Sequence, residues 1–293
     1  MAEKLEFTGE RFTPECVREI RYEHIHRYAF AQSFVKGLKV LDAACGEGYG
    51  SALLAESADS VTGVDISEDA IVHARERYAS EKLEFRQGDC TDLPFADDEF
   101  DSVISFETLE HLENQQGLLQ AFRRVLKPDG FLLISTPDKA VYTDKQGNRN
   151  EYHVSELYRG EFEALLDSYF PAFRLWGQKL GFQSTLWSLE ATQGVSVLQE
   201  TEGGISHAET PVHEAVYLLA FCAASEDLLP AMEFGLSVFD DADETVYGHY
   251  YHEIRKNMAA GTLLQQRDAE IERLKAELAQ SARPFWKRLL GRN

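Results

Sequence analysis

Apolar and polar positions along this chain come in blocks. Short, nearly continuous apolar runs at 38–41, 60–66, 83–86, 99–105, 131–135 and 216–223 read as strands, most of them ending in a polar or acidic residue. A further apolar and aromatic stretch with two glycines, 173–189, reads as a sixth strand, which makes 216–223 the last of seven. Helical spacing fills the gaps. It predicts helices over 16–35, 51–56, 67–78, 116–126 and 160–168, with Ser67 as a cap and Glu68 and Asp69 favourably placed in the first turn. Strand and helix alternation of this kind predicts an α/β fold, a Rossmann-like doubly wound sheet of seven strands.

Four segments follow from the same pattern. Residues 1–37 form an N-terminal helical cap, and 38–225 the main domain, with an insertion at 190–213 whose Val195–Val197 centre suggests a small hairpin. Residues 226–260 are a C-terminal helical extension. Its aromatic run, Tyr247 to Tyr251, is expected to pack on the core. Residues 261–293 carry Leu264, Ile271 and Leu278 at spacings of seven with Leu274 between them, a short coiled coil whose seam Arg267 weakens. It ends in a basic amphipathic tail over 284–293 suited to a membrane surface or a partner groove.

The most informative stretch lies between the first two strands. An apolar run ends in Asp42, and Gly46, Gly48 and Gly50 follow at alternate positions. Glycines let the chain turn sharply and let a ligand approach the main chain. Asp65 closes the second strand 17 residues after Gly48, where a carboxylate can accept both hydroxyls of a ribose. Together these features predict a nucleoside-binding site at the carboxyl ends of the strands. After the fourth strand comes Glu107-Thr108-Leu109-Glu110-His111. Three readings stand: His111 as a general base, Glu107, Glu110 and His111 as ligands of a divalent ion on one helical face, or ordinary helix-entry residues. No metal is assigned. His153, in a long polar loop before a helix where substrate choice should lie, is a second candidate, helix entry being its plain alternative.

Charge and cysteine content narrow the class. Among 293 residues, 50 are acidic and 29 basic, a net charge of −21 that repels phosphate backbones and disfavours a nucleic-acid partner. The four cysteines include no Cys-x-x-Cys pair, which fits a reducing cytoplasm. The polar N-terminus has no signal-like apolar stretch, and no apolar run is long enough to span a bilayer. Cytoplasmic residence is expected, with peripheral contact at the inner membrane through the tail.

The spacing of Asp42, Gly46, Gly48 and Gly50 resembles motif I of the class I S-adenosylmethionine-dependent methyltransferases, of the type 11 and ubiquinone-pathway O-methyltransferase kind. Gly88-Asp89-Cys90, Phe100-Asp101-Ser102-Val103 and Leu126-Lys127-Pro128-Asp129-Gly130 are further landmarks in the same order, with Asp129 standing where the family has glycine. The resemblance implies S-adenosyl-L-methionine as cofactor. It puts Asp42, Gly46, Gly48, Asp65, Ile66, Ser105 and Glu107 around it, with Asp89 on the adenine amino group and the Cys90 amide on a ring nitrogen. Arg27, on the cap helix, is expected to grip the carboxylate of the cofactor's methionine portion with two bonds. Thr8-Gly9-Glu10-Arg11-Phe12 and the C-terminal coil resemble methyltransferases associated with surface polysaccharides. The implied acceptor is a sugar hydroxyl of a glycan or its precursor, with His111 or His153 as base. The alternatives are O- or N-methylation of a small aromatic or quinone-like metabolite, and a non-catalytic cofactor-binding scaffold. The coil implies a homo-oligomer or a partner protein.

Overall fold

The computed structural model describes residues 19–281 except 79, 182, 184, 187–194, 202–203, 209–210 and 212. The Gly-Glu-Arg-Phe segment, the basic tail and part of the insertion lie outside the described residues. Two compact units divide the chain, Met1–Phe239 and Asp240–Asn293.

The first unit is built on a seven-stranded sheet in the order β3-β2-β1-β4-β5-β9-β6. Strands β1 (Lys39–Ala43), β2 (Ser60–Asp65), β3 (Leu83–Gln87), β4 (Phe100–Ser105) and β5 (Leu126–Pro137) pair in parallel. β9 (Tyr217–Ala223) runs antiparallel between β5 and β6 (Ala172–Gln178). The central strands have buried side chains on both faces, which is why they read as unbroken apolar runs. One face is covered by α4 (Gln115–Val125) and α5 (Arg159–Asp167), whose Leu118, Phe122, Phe162 and Leu166 are fully buried. α4 starts where Asn114 accepts a bond from the Gly117 amide, and its apolar residues at 118, 119, 122 and 125 form one stripe. On the other face, α1 (Glu19–Gln32) and α2 (Tyr49–Ala55) contribute Phe30, Ala31 and Leu54 to a cluster with Ile104, Leu133 and Phe221. α3 (Glu68–Arg77) is capped by Ser67 as expected.

Several boundaries move. The strand predicted over 173–189 stops at Gln178. β5 is assigned from Leu126, but its register against β4 jumps between Phe100 and Ser102, so the Lys127–Gly130 turn stands out as a bulge. The insertion holds a hairpin of β7 (Val197–Thr201) and β8 (Gly204–Ala208).

The second unit is dominated by α6 (Thr245–Ser281), a single helix that runs through residue 260. Tyr247 and Tyr251 are exposed and stack on each other at 6.0 Å, four residues apart on one face. Leu264, Ile271, Leu274 and Leu278 are exposed as well. Intrahelical pairs such as Arg273 with Glu270 and Glu277 support the helix locally.

Candidate active site

The glycine loop between β1 and α2 is held from three sides. Gly46 and Gly48 have φ of 56° and 91°, in the left-handed region that favours glycine. A β-carbon on Gly46 would meet nothing within 4 Å, so the loop leaves open space there. Gly48 is the opposite case: its β-carbon would lie 2.6 Å from the Phe85 ring and 2.8 Å from Ala74. At Gly50 it would strike the Tyr28 ring at 2.1 Å, because α1 lays that ring across the loop. Glu47, which sequence reasoning missed, anchors the loop to α3, lying 2.8 Å from His73 Nε2 and accepting a bond from the Tyr78 hydroxyl.

Two carboxylates set the loop's geometry. Asp65 Oδ2 accepts from the Gly46 amide and Oδ1 from the Ser67 amide, both at 2.9 Å. Each oxygen keeps a second lone pair, so the pair can still accept two ribose hydroxyls. Ile66, next in sequence, is an exposed apolar side chain beside it. Asp42 lies beneath the loop, fully buried, accepting from Tyr28 at 3.0 Å and Ser51 at 2.5 Å. Its bonds hold the loop from below and leave it no direct reach to the open space at Gly46.

Burial pushes the Asp42 carboxyl up to about 6 despite the two hydroxyl bonds. The folded state therefore holds this proton more tightly than the unfolded chain does. The contribution of Asp42 to stability is greatest at low pH and falls as pH rises between about 4 and 6, by about 3 kcal/mol in all. Denaturant melts of the cofactor-free protein across that window should show this loss, and Asp42→Asn should remove it. An unchanged slope in the variant would refute the assignment.

On the far side of the loop, Asp89 is exposed, with one oxygen engaged by the Thr91 amide and hydroxyl. Cys90 is buried beside it, and burial raises its thiol to about 12, so its backbone amide rather than its sulfur is the group with chemistry to offer. Ser105 is fully buried at the end of β4, its hydroxyl without a hydrogen-bond partner.

Arg27 is buried between α1 and the sheet edge. Nη1 donates to Gln178 at 2.7 Å, Glu107 lies 3.9 Å away, and the guanidinium sits 4.9 Å over the Tyr217 ring. Nε and Nη2 are buried with no hydrogen-bond partner. Those two N–H groups form the side-on fork that matches a carboxylate. A buried cation with half its donors unused fits the amino-acid end of S-adenosylmethionine, as the open space at Gly46 and the lone pairs of Asp65 fit its nucleoside end.

The Glu107–His111 segment differs from its expected form. Glu107 has φ of 52° and precedes a one-turn 3₁₀ helix, Leu109–His111, so Glu107 and His111 share no helical face. Glu107 Oε1 accepts from the Ser135 hydroxyl at 2.7 Å, and Ser135 Oγ accepts from the Glu107 amide at 3.2 Å. Glu110 is fully buried. Its Oε2 accepts from Thr136 at 3.1 Å, and Oε1 has no hydrogen-bond partner. Burial, with Glu107 as a lesser cause, drives the Glu110 carboxyl well above the ordinary range.

His111 and His153, separate candidates in the sequence, come together here. Their rings meet edge to face at 5.0 Å. His111 Nδ1 donates to the Tyr152 carbonyl at 3.0 Å, and His153 Nδ1 lies 2.6 Å from Glu156. A carbonyl can only accept, so His111 carries its proton on Nδ1 and presents Nε2 as a base. The Val154 and Ser155 amides both bond to the Glu110 carbonyl, which fixes the His153 loop against the turn. The supporting residues Ser135, Thr136, Glu156, Gln178 and Tyr217 were not found from sequence, since no motif marks them.

A cleft of about 990 Å³ opens along α1 and the β6 edge, with Tyr22, Arg27, Phe30, Trp176 and Phe234 among its walls. Tyr142 lies beside the histidine pair, its ring 5.4 Å from His153 and 5.9 Å from Tyr217, and its neighbours Ala140 and Val141 line the cleft.

Comparison with known proteins agrees with this geometry. A family profile described as a methyltransferase domain matches residues 34–181. A probable S-adenosylmethionine-dependent methyltransferase of Mycolicibacterium smegmatis is 33% identical over 237 residues, 78% of this chain and 90% of that protein. A Mycobacterium tuberculosis protein of the same description is 30% identical over 232 residues, 78% of this chain and 83% of that one. Over a shorter stretch, 35% of this chain and 44% of the other, a demethylmenaquinone methyltransferase of Clavibacter sepedonicus is 44% identical. The fold, the glycine loop with its two carboxylates, and these matches lead to one assignment: the chain belongs to the class I S-adenosylmethionine-dependent methyltransferases.

Proposed function

We propose that the enzyme methylates a hydroxyl oxygen, and that the hydroxyl belongs to a sugar in a surface glycan or its precursor. The observation that carries the reading is the pairing of His111 and His153 beside buried Glu110, each imidazole held through Nδ1. A hydroxyl acceptor needs a group that takes its proton, whereas a neutral amine does not. The aromatic walls of the adjoining cleft, Tyr22, Trp176 and Phe234, suit the apolar faces of a sugar ring.

S-adenosylmethionine supplies a methyl group already activated on a sulfonium. The protein's work is then mainly alignment. Arg27 would hold the carboxylate and Asp65 the ribose, with Ile66 against the adenine, Asp89 on its amino group and the Cys90 amide on a ring nitrogen. Asp42 and Glu47 keep the glycine loop in shape while this happens. His111, through Nε2, would take the acceptor proton, with Glu110 3.9 Å away to steady the resulting charge.

A second reading has a small aromatic or quinone-like acceptor, favoured by the likeness to the demethylmenaquinone enzyme. A screen of hydroxylated sugars and nucleotide sugars against phenols and quinols, followed by release of S-adenosylhomocysteine, separates the two. Turnover on phenols alone would displace the sugar, and cofactor binding with no turnover on either set would favour the scaffold.

Among the described residues no helix is long and apolar enough to cross a membrane. We place the enzyme in the cytoplasm, paired with a second copy through the Leu264–Ile271–Leu278 seam and touching the inner membrane through 284–293. Light scattering of an Ile271→Glu variant and co-sedimentation with anionic vesicles test these two contacts. A monomeric wild type or absence from the vesicle pellet would remove the corresponding one.

A further inference from the structure

The cluster behind the proposed hydroxyl chemistry has a second property. Glu110, His111 and His153 each offer one donor atom, and the three atoms lie within 4.8 Å of one another. Metal–ligand bonds of about 2.1 Å put donor atoms roughly 3–4 Å apart, so small side-chain rotations close the set around an ion. Glu110 Oε1 already lies 3.9 Å from His111 Nε2.

Three further features mark this as more than a chance meeting of polar groups. Glu110 is fully buried, yet Oε1 has no hydrogen-bond partner. An unsatisfied buried carboxylate oxygen is costly, and a cation beside it removes that cost. Both imidazoles are anchored through Nδ1, to the Tyr152 carbonyl and to Glu156, and Glu156 in turn accepts from the Thr143 hydroxyl. Outer partners of this kind orient the imidazoles that ligate metals. Finally, Glu110 and His153 are locked together through the backbone, with the Val154 and Ser155 amides at 2.9 and 3.0 Å from the Glu110 carbonyl. His111 is the part-exposed member, so the cluster is reachable from solvent on that side.

We propose that Glu110, His111 and His153 bind a divalent first-row cation such as Mn²⁺ or Zn²⁺, which two imidazoles and one carboxylate suit and which leaves coordination positions open. Glu107 is not a ligand, because Ser135 and Arg27 occupy it, and His153 stands in its stead. The inference rests on the hydroxyl-acceptor reading for its chemical use. The cation takes up the acceptor hydroxyl and acidifies it, and the proton passes to solvent water. The oxygen's electron pair then forms the bond to the methyl carbon as the carbon–sulfur bond breaks, its pair staying on sulfur. With the cation bound, His111 Nε2 is a ligand and water takes the proton; in the metal-free protein the same nitrogen is the base proposed above.

The test uses the full-length, untagged protein, stripped with chelator and dialysed, without cofactor. Mn²⁺ titration followed by electron paramagnetic resonance, and Zn²⁺ titration by calorimetry, should show one ion per chain with a dissociation constant below about 100 µM. Glu110→Gln and His153→Asn, each checked for folding by circular dichroism, should weaken binding by at least roughly 10- to 100-fold. His249→Ala, on α6, should leave it unchanged. No stoichiometric binding by the wild type, or binding indifferent to both site variants, overturns the proposal. With an acceptor in hand the two readings separate. Full turnover in the metal-free enzyme removes the cation and leaves hydroxyl methylation standing. Stoichiometric binding without turnover of any hydroxyl removes the acceptor reading and leaves the site.

Discussion

Replacing Asp65 by alanine is expected to lower affinity for S-adenosylmethionine and S-adenosylhomocysteine alike by roughly 100- to 10,000-fold, since two hydrogen bonds to a charged group are worth about 1.5–3 kcal/mol each. The loss has two sources. The ribose loses its acceptors, and the Gly46 and Ser67 amides lose theirs, so the loop that shapes the site is freed as well. Asp65→Asn separates the two, because one amide oxygen can still hold one backbone N–H while the negative charge is gone. Calorimetric titration of wild type, Asp65→Ala and Asp65→Asn, with denaturant melts of each, gives affinity and stability independently. An alanine variant that binds within threefold of wild type would mean the nucleoside lies elsewhere.

The second large effect concerns folding. Gly48→Ala adds a β-carbon 2.6 Å from the Phe85 ring at a φ of 91°. The backbone cost of about 1–2 kcal/mol and overpacking of roughly 1–3 kcal/mol sum to a destabilisation of roughly 2–5 kcal/mol. For a domain of this size the midpoint should fall by roughly 5–15 °C. Phe85→Leu tests the cause. Alone it destabilises, since Phe85 is buried, but combined with Gly48→Ala it should return part of the loss. Strict additivity in the double variant would show that the ring is not what the new methyl meets. Thermal and urea melts without cofactor measure this directly.

The nucleoside half of the site was legible before any coordinates because its signals are local. β1, the glycine loop and Asp65 fall within 27 residues, and strands buried on both faces announce themselves as apolar runs. The rest of the site was legible only as separate residues, for three reasons. His111 and His153 are 42 residues apart, and tertiary bonds, from the Val154 and Ser155 amides and from His111 and Gln115, bring them together. Arg27 could be guessed as a carboxylate grip, but its settling between Gln178 and Tyr217 depends on strand β9 being inserted antiparallel beside β6. Glu107 adopts a left-handed backbone without being glycine, and nothing in the residue type marks that, so the helical-face argument for it failed.

The strand order has a consequence for how such an enzyme diversifies. The proposed nucleoside contacts lie at the ends of β1, β2, β3 and β4, while the cleft draws on α1, β6 and the segments around β9. Insertions after β5 and after β6 can therefore lengthen, shorten or be exchanged without disturbing a hydrogen bond to the glycine loop. Laboratory recombination should exploit this: grafting 138–158 and 179–216 from a relative with another acceptor would retool the chain while its capacity to load the methyl donor is inherited intact.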